Sequence, residues 1–508
     1  MKLGALSFVV AFAAAALAGG ASAAVAQEKI LSVATNAEPD VLDPAKSGSP
    51  QFFTTLWNVY EGFTWQNLKG DMIPALAESW DIIDGGKIIV FHLRPGVTFH
   101  SGDPLTAQDV VWTYQRYLKY ARFFVGIARF IDRVEAVDEH TVKFVFKQPD
   151  AEFLAIHPVL VTSKAYYDRV GEAEFVKHPV GTGPYKIVNY VPGQYLDVEA
   201  YDKYWGPKPA VKNARFYFVK DPNTRVAKLQ AGEADIIMAT PYNVVDSLQK
   251  AGFSIAKLVS QPTPSIQFHL KNPNVPWHDL RVRQAIAYAI DTKAIVKGLL
   301  HDVPVHYPRL LPGEVGYDPN LPNYEYNPAK AKQLMKAAGY PDGFTMPFFV
   351  QTGIFFGMEE TAEAVTLYLK QNLNITTQAQ GLGLAELIGK IFASGRDPTA
   401  KFVAIGGYPI ASLPTPLWGI GLAFYGKNPA ALYDDPEIDT LFDKAEATFD
   451  LNQQATHIKK IMQLEQRDLY IMTLWDYVGV YAMKKNISYT PGERNLEILY
   501  LPWARESQ

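Results

Sequence analysis

Cysteine is absent from all 508 residues, which excludes disulfides, a thiol nucleophile and any cysteine-ligated metal site. No apolar run beyond the N-terminal segment is long enough to cross a bilayer. Neither sign of charge dominates, with 48 basic against 52 acidic residues and a net charge of −4, so nothing points to nucleic acid or another polyanion. Repeats of solenoid length and low-complexity tracts are also missing. The 10 histidines never show the His-Glu-x-x-His spacing that sets two imidazoles on one helix face. His301 and His306 come nearest, but they stand beside Pro304 and Pro308. Gly181-Thr-Gly-Pro-Tyr185 lacks the Gly-Lys-Ser/Thr ending of a phosphate loop, and Pro184 removes an amide that would cradle the phosphate. Its glycines are expected to permit a tight turn into the next strand. No Gly-x-Ser-x-Gly elbow occurs, and no pattern brings two carboxylates to glycosidase separation.

What is present is a long, apolar-rich chain. At 508 residues, with 48% hydrophobic and 13% aromatic content, it exceeds the roughly 250–300 residues at which one core stops growing. More than one domain is expected. Lys2 followed by the apolar stretch Leu3 to Leu17 and by Ala24-Val-Ala26 predicts a signal peptide over residues 1–26, with Ala21-Ser-Ala23 as an alternative cleavage site. Strands are predicted over Ile30 to Thr35, Lys87 to Leu93, His140 to Phe146, Tyr195 to Ala200, Arg215 to Lys220 and Ser265 to Leu270. Helices are predicted over Asn223 to Ala231, Asp279 to Ile290, Pro328 to Ala338 and Glu359 to Gln371. That alternation reads as α/β. Thr106, with Asp109 three residues on, predicts a capping box before the apolar stripe Val110, Val111, Tyr114, Tyr117 and Leu118. Gln261-Pro-Thr-Pro264 and Lys271-Asn-Pro-Asn-Val-Pro276 mark a junction between lobes, because so much proline interrupts ladders and helices alike.

The run from Phe91 through His100-Ser-Gly-Asp-Pro104 to Arg116 resembles the signature block of family 5 extracytoplasmic solute-binding proteins. Further landmarks follow in that family's order: Glu38-Pro-Asp-Val-Leu-Asp-Pro44, Tyr60-Glu-Gly-Phe63, Pro74-Ala-Leu-Ala-Glu-Ser-Trp80, Gly181-Thr-Gly-Pro-Tyr185, Leu229 to Asp235, Val282 to Asp291 and Ala338 to Phe344. The resemblance implies a two-lobed periplasmic-binding-protein fold of the large cluster C type, with an additional inserted domain and hinge strands between the lobes. Mapped here, lobe I is discontinuous over 27–66, 186–272 and 484–508, the inserted domain covers 67–185, and lobe III covers 273–483. It further implies the substrate-binding component of an ABC importer: not an enzyme, carrying no cofactor or metal, monomeric, and working with an inner-membrane permease and its ATPases. The chain has no cysteine for the lipid anchor that Gram-positive relatives use, which implies a freely diffusing periplasmic protein of a Gram-negative cell. The implied ligand is a peptide-like or modified amino-acid solute; an opine-like conjugate, an oligosaccharide or a metal chelate is the alternative on the same fold. A secreted α/β hydrolase, and a chaperone or sensor using the fold without transport, are the rivals from other classes.

The resemblance also nominates ligand-binding residues: Glu38, Tyr408, Ala411, Ser412, Trp418 and Tyr477. Aromatic residues are dense late in the chain, at Tyr408, Trp418, Phe424, Tyr425, Trp475, Tyr477 and Tyr481, and aromatic walls suit small-molecule clefts. Peptide-binding relatives carry an aspartate that pairs with the ligand ammonium; here Tyr408-Pro-Ile-Ala-Ser-Leu-Pro414 puts Ala411 in its place. A free dipeptide or tripeptide in the usual pose is therefore expected to be a poor ligand, unless Glu38 or Asp476 restores the charge. Strand alternation predicts that Asp476 and Tyr477 face opposite ways.

Overall fold

The computed structural model describes residues 30–47, 51–67, 72–120, 130–156, 160–259, 263–304, 310–321, 323–353, 355–408, 416–492 and 499–506. Two large sheets organise them. The first has seven strands in the order Ser254–Val259, Val478–Met483, Ile236–Ile237, Ile30–Thr35, Asn213–Phe218, Tyr195–Ala200 and Tyr185–Val191. Ile30–Thr35 lies parallel to both Asn213–Phe218 and Ile236–Ile237, so three strands run one way at the middle of the sheet. The second has five strands in the order Thr376–Leu382, Thr345–Gln351, Val403–Tyr408, Thr263–Phe268 and Ile471–Thr473. Its first three are parallel.

Both sheets follow from burial patterns. Tyr195–Ala200 alternates half-buried and buried positions, as a strand with one face on a core must. Thr263–Phe268 and Val478–Met483 are buried throughout, which suits interior strands covered on both faces. Helices end where their caps say. Asp279 accepts the Arg281 amide ahead of Leu280–Ala289, and Asn327 accepts the Lys330 amide ahead of Pro328–Ala337. At Thr106 half of the expected capping box forms, the bond from its amide to Asp109, while its hydroxyl takes another role. The buried Asp109 carboxylate accepts both the amide and the hydroxyl of Thr106 at 2.9 and 2.8 Å, and the Lys164 amide at 2.8 Å. The threonine hydroxyl thus donates sideways to the acid.

The lobe boundaries require correction. Thr263–Phe268 pairs with Val403–Tyr408 and Ile471–Thr473, so it belongs to the five-stranded sheet. Val478–Met483 pairs with Ser254–Val259 and Ile236–Ile237 in the seven-stranded one. Ser254–Val259 and Thr263–Phe268 thus belong to different sheets, as do Ile471–Thr473 and Val478–Met483, whereas the mapping set the limits of the lobes at 272 and 483. Of the two proline-rich runs that marked the junction, the first falls where the sheets change; Pro264 itself sits in the strand Thr263–Phe268, where it has no amide to give but its carbonyl accepts the Leu474 amide at 2.9 Å.

A four-stranded antiparallel sheet, Ala77–Ile83, Ile88–Leu93, Thr141–Phe146 and Ile131–Ala136, carries the inserted segment with the helix Ala107–Tyr120. Its core residues Phe91, Phe144 and Val110 are continuous with Val33, Phe216 and Tyr185 of the seven-stranded sheet. It also touches the other half of the molecule, where the Ala151 amide donates to the Glu446 carbonyl at 2.9 Å. A second core, including Phe268, Ile286, Phe348, Ile405 and Ile461, belongs to the five-stranded sheet.

Gly181-Thr-Gly-Pro-Tyr185 closes the inserted segment. A Cβ at Gly181 would stand 2.1 Å from the Val59 carbonyl oxygen, and one at Gly183 would stand 2.7 Å from the Asn58 carbonyl oxygen. Close backbone approach, and not turn geometry, requires these glycines. Two titratable groups, the buried Glu61 and the half-buried His100, grip the segment. His100 Nδ1 accepts the Gly181 amide and Nε2 faces the Gly183 carbonyl at 2.9 Å, which assigns the neutral Nε2–H tautomer. Glu61, of the Tyr60-Glu-Gly-Phe63 landmark, accepts from the Thr182 hydroxyl, the Tyr204 hydroxyl and the Trp205 indole, each at 2.9 Å.

Candidate ligand cleft

The three central parallel strands of the first sheet release the chain at one edge, and a cleft of about 900 Å³ opens there. Asn36 to Asp40 follow Ile30–Thr35, Lys220 and Pro222 follow Asn213–Phe218, and Ala239, Thr240 and Tyr242 follow Ile236–Ile237; all line it. The facing wall is Gly353, Phe355 to Gly357, Glu359 and Glu360, which follow the parallel strand Thr345–Gln351 of the second sheet. Both sheets thus present strand carboxyl ends to one space, the usual location of ligands in open α/β sheets. Tyr477, from the returning crossing, completes the lining.

Its chemistry is amphipathic. Tyr242, Phe355, Phe356 and Tyr477 form an aromatic group: Tyr242 meets Phe356 edge-on at 5.1 Å, Phe355 meets Tyr477 edge-on at 5.4 Å, and Tyr242 and Tyr477 are 6.5 Å apart. The Tyr242 hydroxyl donates to the Val478 carbonyl at 3.0 Å and so pins the returning crossing to the first lobe. Arg225 is buried at the cleft floor, where its Nε donates to the Met238 carbonyl, Nη1 to the Val219 and Lys220 carbonyls, and Nη2 to the Ala239 carbonyl, at 2.7 to 2.9 Å. It staples two strand ends together.

Of the nominated residues, Glu38 and Tyr477 line the cleft. Glu38 is held in place by the Tyr190 hydroxyl at 2.7 Å and the Gly193 amide at 2.8 Å, both donating to Oε1. This contact, with burial of the phenol, raises the Tyr190 pKa; burial is the larger cause. Tyr408 ends the strand Val403–Tyr408, where its backbone pairs with Thr263. Ala411 and Ser412 lie outside the described residues. Trp418, on the helix Pro416–Ala423, packs against the first lobe's core, while its neighbours Leu417 and Ile420 sit in the second core. Its size and apolar surface are used to bridge cores. Phe424, Trp475 and Tyr481 are fully buried, and the Tyr425 hydroxyl donates to Asp443 at 2.7 Å. Asp476 is buried with the Thr263 hydroxyl donating to it at 3.3 Å, while its neighbour Tyr477 lines the cleft.

Sequence reading missed Tyr242, Phe355, Phe356, Lys220, Arg225, Glu359 and Glu360. The usable signal was position: each follows the carboxyl end of a parallel strand or opens the next helix. Among the described residues, no helix is long and apolar enough to cross a membrane, and no group of three or more His, Cys, Asp or Glu is placed to hold a metal ion.

Two lobes of α/β architecture, joined by two crossings around an aromatic cleft, define a hinged solute-binding protein. Residues 71–414 match the family model described as bacterial extracellular solute-binding proteins, family 5 Middle, and the chain belongs to that family. It is 30% identical to the glutathione-binding protein GsiB of Pectobacterium atrosepticum over 440 residues, covering 82% of this chain and 83% of that one. It is 32% identical to heme-binding protein A of Haemophilus influenzae over 333 residues, which is 60% of this chain and only 59% of that relative's length. The solved structure of HbpA2 from Haemophilus parasuis shares the fold, with a TM-score of 0.82 at 23% identity over 94% of this chain and all of that one (100%).

Proposed function

We propose that this chain is the periplasmic receptor of an ABC importer. Exported by its N-terminal signal, it captures a peptide-like or modified amino-acid solute between its lobes and delivers it to an inner-membrane permease. The observation that carries this reading is the cleft itself: strand ends and aromatic side chains from both sheets converge on a space lined also by Tyr477 of the returning crossing. The lobes are those built on the two large sheets, with residues 67–185 as an inserted unit extending the first. Contacts to both walls are complete only when the lobes close, so ligand shifts the population toward the closed form, which the permease would recognise. Binding suffices, and no bond need be made or broken.

The test begins with whatever solute the purified protein releases on denaturation, identified by mass spectrometry and added back to refolded protein. Ligand at saturation should raise the melting temperature by linkage and reduce the radius of gyration in solution scattering. An unchanged scattering profile at saturation would sink the hinge mechanism.

Aromatic anchoring gives a second check. Tyr477→Ala should weaken binding of that solute by roughly 1–3 kcal/mol through lost packing, with a cooperative melt retained because the side chain sits at the cleft surface. Wild-type affinity would make Tyr477 an ordinary packing residue.

A further inference from the structure

We propose that the cleft selects a solute bearing a positive charge, an amine, guanidinium or quaternary ammonium, beside an apolar body, and that Glu359 and Glu360 determine this specificity. The inference rests on reading the cleft as the solute site. Four carboxylates line it, Glu38 and Asp40 on one wall and Glu359 and Glu360 on the other, against two cations, Lys220 and Arg225. Arg225 keeps its charge but spends its donors on four backbone carbonyls and offers no open fork to a ligand carboxylate, while Glu38 and Asp40 are engaged by Tyr190, Gly193 and Ser47 yet remain anionic acceptors. Lys220 stands exposed at the edge.

The second wall is the more telling. Glu359 and Glu360 occupy the first turn of the helix Met358–Leu373. A helix start beside a cleft is a natural seat for a ligand anion, since free amides and the helix dipole favour negative charge. Here two carboxylates occupy that place, and the Gly353 amide donates to Glu359 Oε1 at 2.9 Å, which fixes the acid on the cleft-lining loop. An anionic group arriving there meets like charge, whereas a cation meets acceptors with remaining lone pairs. Beside them stand Phe355 and Phe356 with Tyr242 and Tyr477, whose ring faces attract cations and bury apolar surface. Thr240, 2% exposed and on the cleft wall, has a buried hydroxyl without a hydrogen-bond partner among the described residues.

This departs from the expectation drawn from Ala411 alone. One missing aspartate removes one anchor, but the cleft carries acids on other walls.

The test uses three probes on one skeleton: alanyl-phenylalanine amide, net positive; free alanyl-phenylalanine, zwitterionic; and N-acetyl-alanyl-phenylalanine, net negative. Calorimetry should rank the amide first, at least ~10-fold tighter than the anion. Glu359→Gln combined with Glu360→Gln should erase most of that preference while leaving the anion no weaker, and added salt should weaken the amide selectively. Both positions are solvent-accessible, so the double variant should fold; its melting curve checks this. Equal affinities, or tighter binding of the zwitterion or the anion, would overturn the proposal while leaving the solute-receptor reading intact. Should none of the three bind, the charge of the solute released from the purified protein decides: net positive supports the proposal, neutral or negative overturns it. Failure of every probe together with recovery of no solute would overturn both readings.

Discussion

Arg116→Met should lower unfolding free energy by about 3–5 kcal/mol, the cost typical of leaving one member of a buried ion pair uncompensated. Arg116 and Asp43 meet through two bonds, Nη2 to Oδ2 at 2.5 Å and Nη1 to Oδ1 at 3.2 Å, with side-chain exposures of 6% and 0%. The guanidinium also faces the rings of Phe175 at 4.8 Å and Trp112 at 5.1 Å, so its planar surface is packed as well as paired. Asp43 belongs to the Leu42-Asp43-Pro44 landmark and Arg116 ends the signature block, so the pair ties the start of the first lobe to the inserted unit. Asp43→Asn in the Arg116→Met background should recover part of the loss, because no naked carboxylate then remains. Urea titrations of the two single variants and the double would measure the coupling. A loss below ~1 kcal/mol in the single variant would place the pair among solvated surface bridges.

Glu61→Gln and His100→Gln should tilt the pH dependence of stability in opposite directions. Burial raises the Glu61 pKa to about 7 from an ordinary 4.5, outweighing the hydrogen bonds from Trp205, Tyr204 and Thr182 that favour the anion. Its stabilising contribution is complete below pH 4.5 and is lost as pH rises through 7, because the folded state holds a proton that the unfolded chain has released. Burial lowers the His100 pKa to about 4 from 6.5, outweighing the bond to Gly183. That contribution is complete above pH 6.5 and is lost as pH falls through 4. Each shift corresponds to ~3 kcal/mol across its full window. Between about pH 4.5 and 6.5 the two slopes oppose, and the wild type should be nearly flat from this source. Glu61→Gln should expose the histidine slope and lose stability on acidification; His100→Gln should expose the carboxyl slope and gain it. Differences between each variant and wild type, taken from melts at closely spaced pH, isolate these groups from the rest. Parallel curves for all three proteins would show that neither group titrates as burial dictates.

Much of the framework was legible because local rules acted alone. Ile30–Thr35 coincides with its predicted strand, and Leu280–Ala289 and Met358–Leu373 fall within one or two residues of their predicted helices, where caps and an apolar face coincide. Proline misled at residue 264, since the absence of an amide was read as the absence of a strand. The prediction began two residues late, at Ser265. The cleft was harder. Its walls come from residues 36–40, 190, 220–242, 353, 355–360 and 477, and they meet only because Ile30–Thr35 lies between Asn213–Phe218 and Ile236–Ile237. No local periodicity encodes that order. The late aromatic cluster shows the converse error: Trp418, Phe424, Tyr425, Trp475, Tyr477 and Tyr481, close in sequence, scatter between two cores and a cleft, because sequence density says nothing of which surface each ring meets. Glu38 and Tyr477, taken from landmark position, are cleft-lining.

The place of Tyr477 has a mechanical consequence. It belongs to one of the two connections between the sheets, and its ring touches Phe355 on one side and approaches Tyr242 on the other. Rotation of the lobes about those connections moves each atom in proportion to its distance from the axis, so the tyrosine behaves as a bearing with almost no lever arm. Groups farther from those connections sweep longer arcs. A solute seated on the bearing would keep its aromatic contacts through opening and closing, while its outer charges would be met only at the end of the stroke.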